Sequence, residues 1–185
     1  GGDDVEAILR GAKMRVENNG LNDLMDAMKN GMKDPNKAVV KVFIILLGVL
    51  AEALGAAVKQ YTKKCYVPML QNVMDKQALV RNEVINATNK WAEAVGAELI
   101  INKMSDQLAV ENPESRTEIF RWILEHKEDI PNASVQDMVK PLVTCLTDKS
   151  KQVREDCQKV IMVVMPLTGH QDFYDKLKDM KAAVQ

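Results

Sequence analysis

A chain of 185 residues with a formal net charge of −1 can bury a sizeable core, and it carries no overall basic field of the kind that draws nucleic acid. It is 46% hydrophobic but only 4% aromatic, with 11 Met and few Gly and Pro, which favours helices packed with aliphatic side chains over a sheet. The three cysteines (Cys65, Cys145, Cys157) form no C-x-x-C pair and sit in apolar helical stripes. They read as buried free thiols in a reducing compartment, with no disulfide framework and no metal site. Lys41 and Glu52 interrupt the apolar run from Val39 to Leu54, which falls short of the ~18 residues of a membrane span, and no secretory signal opens the sequence.

In chain order, residues 3–16 predict a partial N-terminal helix with Val5, Ile8, Leu9 and Ala12 on one side, followed by a break at Asn18-Asn19-Gly20. Four helical hairpins then follow. The first (20–55) has a stripe of Leu21, Leu24, Met25, Met28 and Met32. Its second helix is apolar on most of its circumference, with Val39, Val42, Phe43, Leu46, Leu50, Ala53 and Leu54 expected inward.

The second hairpin (58–96) presents Tyr61, Cys65, Met69 and Val73, with a kink expected at Pro68, then Val80, Val84, Ile85, Thr88, Trp91, Ala92 and Val95. The third (97–127) is the least regular, with its turn at Glu111-Asn112-Pro113-Glu114 and Ile119, Trp122 and Ile123 inward. After a polar break, Ser134 is placed as a helix N-cap. The fourth hairpin (134–169) carries Met138, Leu142, Cys145 and Leu146, then Val153, Cys157, Val160, Ile161, Val164 and Met165. Residues 171–184 form a polar capping helix.

Three of the turns share a register. Asp34, Asp75 and Asp148 each precede a closing glycine by 21 residues (34 to 55, 75 to 96, 148 to 169), and Arg81 and Arg154 lie six residues after their aspartates. Helical self-similarity at a period of roughly 35–45 residues marks a HEAT-type array. The expected fold is therefore all-α: one α-solenoid of HEAT-type helical hairpins over residues 1–185. An apolar first helix with no partner before it reads as the start of a chain whose first repeats are missing.

Asp75 and Asp148 are expected to cap the following helices, and Arg81 and Arg154 to reach a neighbouring repeat's aspartate as a structural ladder. The turn lysines have no such duty, because the positive end of a helix disfavours a cation. Lys37, Lys76, Lys149 and Lys151 in a row would suit an acidic protein surface. Neither His126 nor His170 has a metal-ligand partner at suitable spacing, and no nucleophile, phosphate-loop or dinucleotide motif is present, so no enzyme activity and no cofactor are expected.

The run Asp148-Lys149-Ser150-Lys151-Gln152-Val153-Arg154, the run Asn89-Lys90-Trp91-Ala92-Glu93-Ala94-Val95-Gly96, and Glu111-Asn112-Pro113 with Arg116 ahead of Phe120-Arg121-Trp122-Ile123 together resemble TOG domains. These are the tubulin-binding HEAT arrays of the microtubule polymerase family, and the likeness is to its later TOG domains. It covers about residues 20 to 170. The resemblance implies a scaffold that grips αβ-tubulin at microtubule plus ends through aligned intra-repeat loops. Here those would be Asn36, Lys37, Lys76, Gln77, Asn112, Arg116, Lys149 and Lys151. It also implies a place in the cytoplasm on microtubules, spindle poles or centrosome, with other microtubule-associated proteins as further partners. The family's first-loop Trp has no counterpart, and Glu114 stands where relatives carry a cation. The contrasting reading is a HEAT scaffold that holds another protein or peptide on a helical face.

Overall fold

The computed structural model describes residues 2–12 and 20–183, and all regular structure among them is helical. The expected continuation of the first helix to residue 16, the Asn18-Asn19 break and residue 184 lie outside the described residues, as do the side chains of Leu9 and Ala12. The chain forms two compact units, 1–96 and 97–185.

The first unit contains α1 (Gly2–Ala12), α2 (Leu21–Gly31), α3 (Lys37–Leu54), a stretch of mixed helical type from Gly55 to Met74 that includes α4 (Val67–Leu70), and α5 (Ala78–Val95). The central element is α3, packed against α1, α2 and α5. A methyl group on Gly48 would sit 3.0 Å from both Cα and Cβ of Ala87, so only glycine lets α3 and α5 approach this closely.

The buried face of α3 agrees with the expected one at Leu46, Leu50, Ala53 and Leu54 and differs from it toward the start of the helix. Val40, Ile44, Leu47 and Leu50 are fully buried, whereas Val39 and Phe43 are half-buried and Val42 is exposed. Two apolar stripes lie side by side on this helix, and packing against α5 decides between them. The region also holds an 18-residue window long and apolar enough by composition to cross a membrane, but 56% of it is buried inside the protein.

Upstream of Pro68, where a kink is expected, the helix changes type. A 3₁₀ segment (Gly55–Tyr61) leads into a π turn (Thr62–Tyr66), and Pro68 then stands near the start of α4. Proline lacks the amide donor and crowds the preceding turn, and a wider turn accommodates both defects. Tyr61, Cys65, Met69 and Val73 are nevertheless buried, as the periodicity predicts.

The second unit contains α6 (Ala97–Gln107), α7 (Pro113–Glu125), a 3₁₀ segment (Lys127–Asn132), α8 (Val135–Cys145), α9 (Lys151–Thr168) and α10 (His170–Ala183). Ile119, Trp122, Ile123, Met138, Leu142, Cys145, Val153, Cys157, Val160, Ile161 and Val164 form its core, while Leu146 and Met165 are only half-buried. The polar break is anchored rather than loose, because Ile130 is fully buried. Ser134 sits at the start of α8 without a side-chain cap bond, and its amide instead donates to Oδ1 of Asn102 at 2.8 Å. The last helix, α10, is polar overall but buries Phe173 against the unit.

Candidate functional site

The repeated aspartates do one job three times. Oδ1 of Asp34, Asp75 and Asp148 accepts the amide two residues on, from Asn36, Gln77 and Ser150, at 2.7, 2.9 and 2.7 Å. Each of those residues is the N-cap of its long helix (α3, α5 and α9), and each helix runs 18 residues to a glycine with positive φ. The third turn has Val110 where the others have Asp. There the backbone carbonyl of Val110 accepts the Asn112 amide at 3.0 Å, so the bend survives without the carboxylate.

The arginines behave differently from the expected ladder. Nη1 of Arg81 donates to the carbonyls of Asp75 and Lys76 at 2.8 and 3.1 Å, and Nη1 of Arg154 donates to those of Asp148 and Lys149 at 2.7 and 3.0 Å. Each therefore clamps its own turn. A side chain starting one helical turn into the helix reaches back to the carbonyls of its own N-terminus more readily than across to the next hairpin.

The cross-hairpin rungs come from other residues. In the first unit Nζ of Lys37 lies 2.8 Å from Oδ2 of Asp75. In the second unit the guanidinium of Arg116 pairs with Oδ2 of Asp148, and the two side chains are 3% and 5% exposed. Burial disfavours the charge on Asp75, but Lys37 and the Gln77 amide outweigh it and hold the carboxyl below its ordinary 3.8. At Asp148 burial is likewise outweighed, by the Ser150 amide and Arg116, and the carboxyl again lies below 3.8.

The residues expected on the docking edge therefore divide. Lys76, Gln77, Lys149 and Lys151 are exposed. Lys76 and Lys149 form no ion pair among the described residues, and Lys151 has only a loose one, 3.3 Å from Glu155 four residues on. Asn36 and Asn112 lie at their turns, with Oδ1 capping the Ala38 amide at 3.0 Å and the Ser115 amide at 2.7 Å. Lys37 is half-exposed and tied to Asp75.

Arg116 is a correction. It is 2% exposed and belongs to the framework, with Nε donating to the Leu108 carbonyl at 3.0 Å. It lies four residues after the N-cap Asn112, as Arg81 and Arg154 lie four after Gln77 and Ser150, and counting from the cap would have classed it with them.

One surface residue gave no sequence signal. Leu79, near the start of α5 beside Lys76 and Gln77, is 67% exposed. No group of three His, Cys, Asp or Glu arranged to hold a metal occurs among the described residues.

No protein-family model matches the chain. In sequence it is similar to Protein MOR1 of rice, 25% identical over 181 residues, which is 96% of this chain but 9% of that protein. In structure it is similar to the TOG domain of Crescerin, whose TOG array regulates microtubules in the primary cilium (TM-score 0.73, 16% identity, 96% of this chain and 78% of that one). The chain has the TOG fold. A second TOG structure, from work on how TOG–tubulin binding specificity promotes microtubule dynamics and mitotic spindle formation, matches at TM-score 0.68 with 18% identity, over 85% of this chain and 66% of that one.

Proposed function

We propose that this TOG-type chain is a non-enzymatic tubulin-binding module. It docks αβ-tubulin on its turns and so promotes microtubule growth and spindle assembly, working in the cytoplasm on microtubules, spindle poles or centrosome. The observation that carries the reading is the division of charge at the turns. The acidic side chains Asp75 and Asp148 are consumed by their own helices and by a neighbouring cation, while Lys76, Lys149 and Lys151 stay exposed. A turn whose acids face inward and whose lysines face water presents net positive charge to an acidic partner. The relatives described above, studied for tubulin binding and microtubule regulation, support the same partner.

Exposed charge pairs contribute only about 0.2–1 kcal/mol each, so the turns must act together. Preference for one tubulin conformation over another would then make the module deliver dimers to growing ends through differential affinity. Sizing chromatography with unpolymerised tubulin tests the reading. The wild-type chain should co-elute, and the variant Lys76→Glu/Lys149→Glu/Lys151→Glu should not, with its circular dichroism unchanged. Co-elution of the folded triple variant would remove the turns as the site.

A further inference from the structure

The second hairpin encloses a polar cluster for which docking has no use. Tyr66 closes the π turn, and Thr88 and Trp91 lie three residues apart on the buried face of α5. All three residues are 0% exposed, and the rings of Tyr66 and Trp91 have centroids 5.3 Å apart. Tyr66 Oη, Thr88 Oγ1 and Trp91 Nε1 have no hydrogen-bond partner among the described residues. We propose that these three groups hold one internal water molecule, which ties the stretch before Pro68 to α5. Such a site stands whether or not the chain binds tubulin.

Buried polar side chains nearly always have a partner, so three orphans in one place need a common explanation. A hydroxyl within a helix commonly donates to the carbonyl four residues back. Ser105, Thr144 and Thr168 do so, to Ile101, Lys140 and Val164 at 2.9, 3.1 and 3.3 Å. Thr88 does not, which leaves its hydroxyl to the interior. Burial pushes the Tyr66 phenol above its ordinary value, and the nearby Thr88 hydroxyl offsets this only in part. The two oxygens are neighbours, yet they form no hydrogen bond of ordinary geometry.

Even a direct bond between them would leave the Trp91 indole, which can only donate, without an acceptor. An ion would find no counter-charge in three neutral groups. A water matches all of them: it accepts from Trp91 and from one hydroxyl, and donates to the other. Interior waters typically make about three such bonds.

The test is a crystal structure of the whole chain at a resolution that shows ordered water. Density for one water should lie within about 2.7–3.2 Å of Trp91 Nε1 and of at least one of the two hydroxyl oxygens. In solution the Trp91 indole proton should show a nuclear Overhauser contact with a slowly exchanging water. That contact should vanish in Tyr66→Phe/Thr88→Val, which removes both hydroxyls and nearly keeps both shapes. If this variant loses its circular dichroism, the wild-type density alone decides.

Trp91 Nε1 bonded to a protein atom, or packed against apolar atoms with no water beside it, overturns the site. A Tyr66–Thr88 bond with nothing at the indole overturns it as well. So does a water contact that survives in the folded double variant.

Discussion

Arg116 and Asp148 lie on neighbouring hairpins and form an ion pair that is almost wholly withdrawn from solvent, with side chains 3% and 5% exposed. Breaking such a pair from one side leaves an uncompensated buried charge, which costs roughly 3–5 kcal/mol. Arg116→Ala should therefore lower the stability to urea by about that amount. Lys37→Ala, which removes the analogous but half-exposed partner of Asp75, should cost less than about 1 kcal/mol. Equal losses in the two denaturation curves would refute this distinction.

Stability should also fall in acid, with a predictable sign. Asp75, Asp148 and Asp156 all have carboxyls held below 3.8 in the folded chain. At Asp156 burial works against the charge and is outweighed by bonds from Lys159 and Gln152. A carboxyl depressed by folding contributes stability above its unfolded value and loses it as pH falls through its folded one. Urea midpoints should be flat from neutrality down to about pH 5 and drop below about pH 4. Asp148→Asn should show a shallower acid drop than wild type.

How much of this was legible in the sequence depends on what the pattern had to decide. The recurrence of Asp34, Asp75 and Asp148 at a fixed distance from glycine located the hairpins, because capping chemistry and chain reversal both leave local residue signatures. On α3 the periodicity placed Leu46, Leu50, Ala53 and Leu54 in the core but failed in the first turns, since a helix apolar almost all round offers Val39 and Val42 as readily as Val40 and Ile44. Arg116 was misplaced for another reason: a cation near a polar turn reads as surface, and only the neighbouring hairpin's Asp148 makes its burial tolerable. Leu79 was unreadable because nothing local says which apolar residue will lack a neighbour.

Leu79 supplies a third prediction. Its side chain is 67% exposed at a turn that carries Lys76 and Gln77. If tubulin covers it, Leu79→Ser should weaken binding about tenfold, since burying a leucine is worth roughly 1.5–3 kcal/mol. The unfolding midpoint should stay within about 0.5 kcal/mol of wild type. An affinity equal to wild type by sizing chromatography or fluorescence titration would place Leu79 outside the contact.

Gly169 closes α9 at φ +92°, and nothing lies within 4 Å of where a methyl group would go. Gly169→Ala should therefore lose about 1–2 kcal/mol from backbone strain alone, with no change in the core. A loss near zero in urea titration would mean that the helix end relaxes into another conformation.

The bends at Asp75 and Asp148 are held twice, once by the chain's own amides and arginine and once by a basic group from the preceding hairpin. Lysines carried on such corners arrive at an encounter with their backbone already immobilised. Little conformational freedom remains to be surrendered when a partner settles on them, so even weak individual attractions can sum to useful affinity. Loosening one corner, by losing either support, should then cost binding as well as folding.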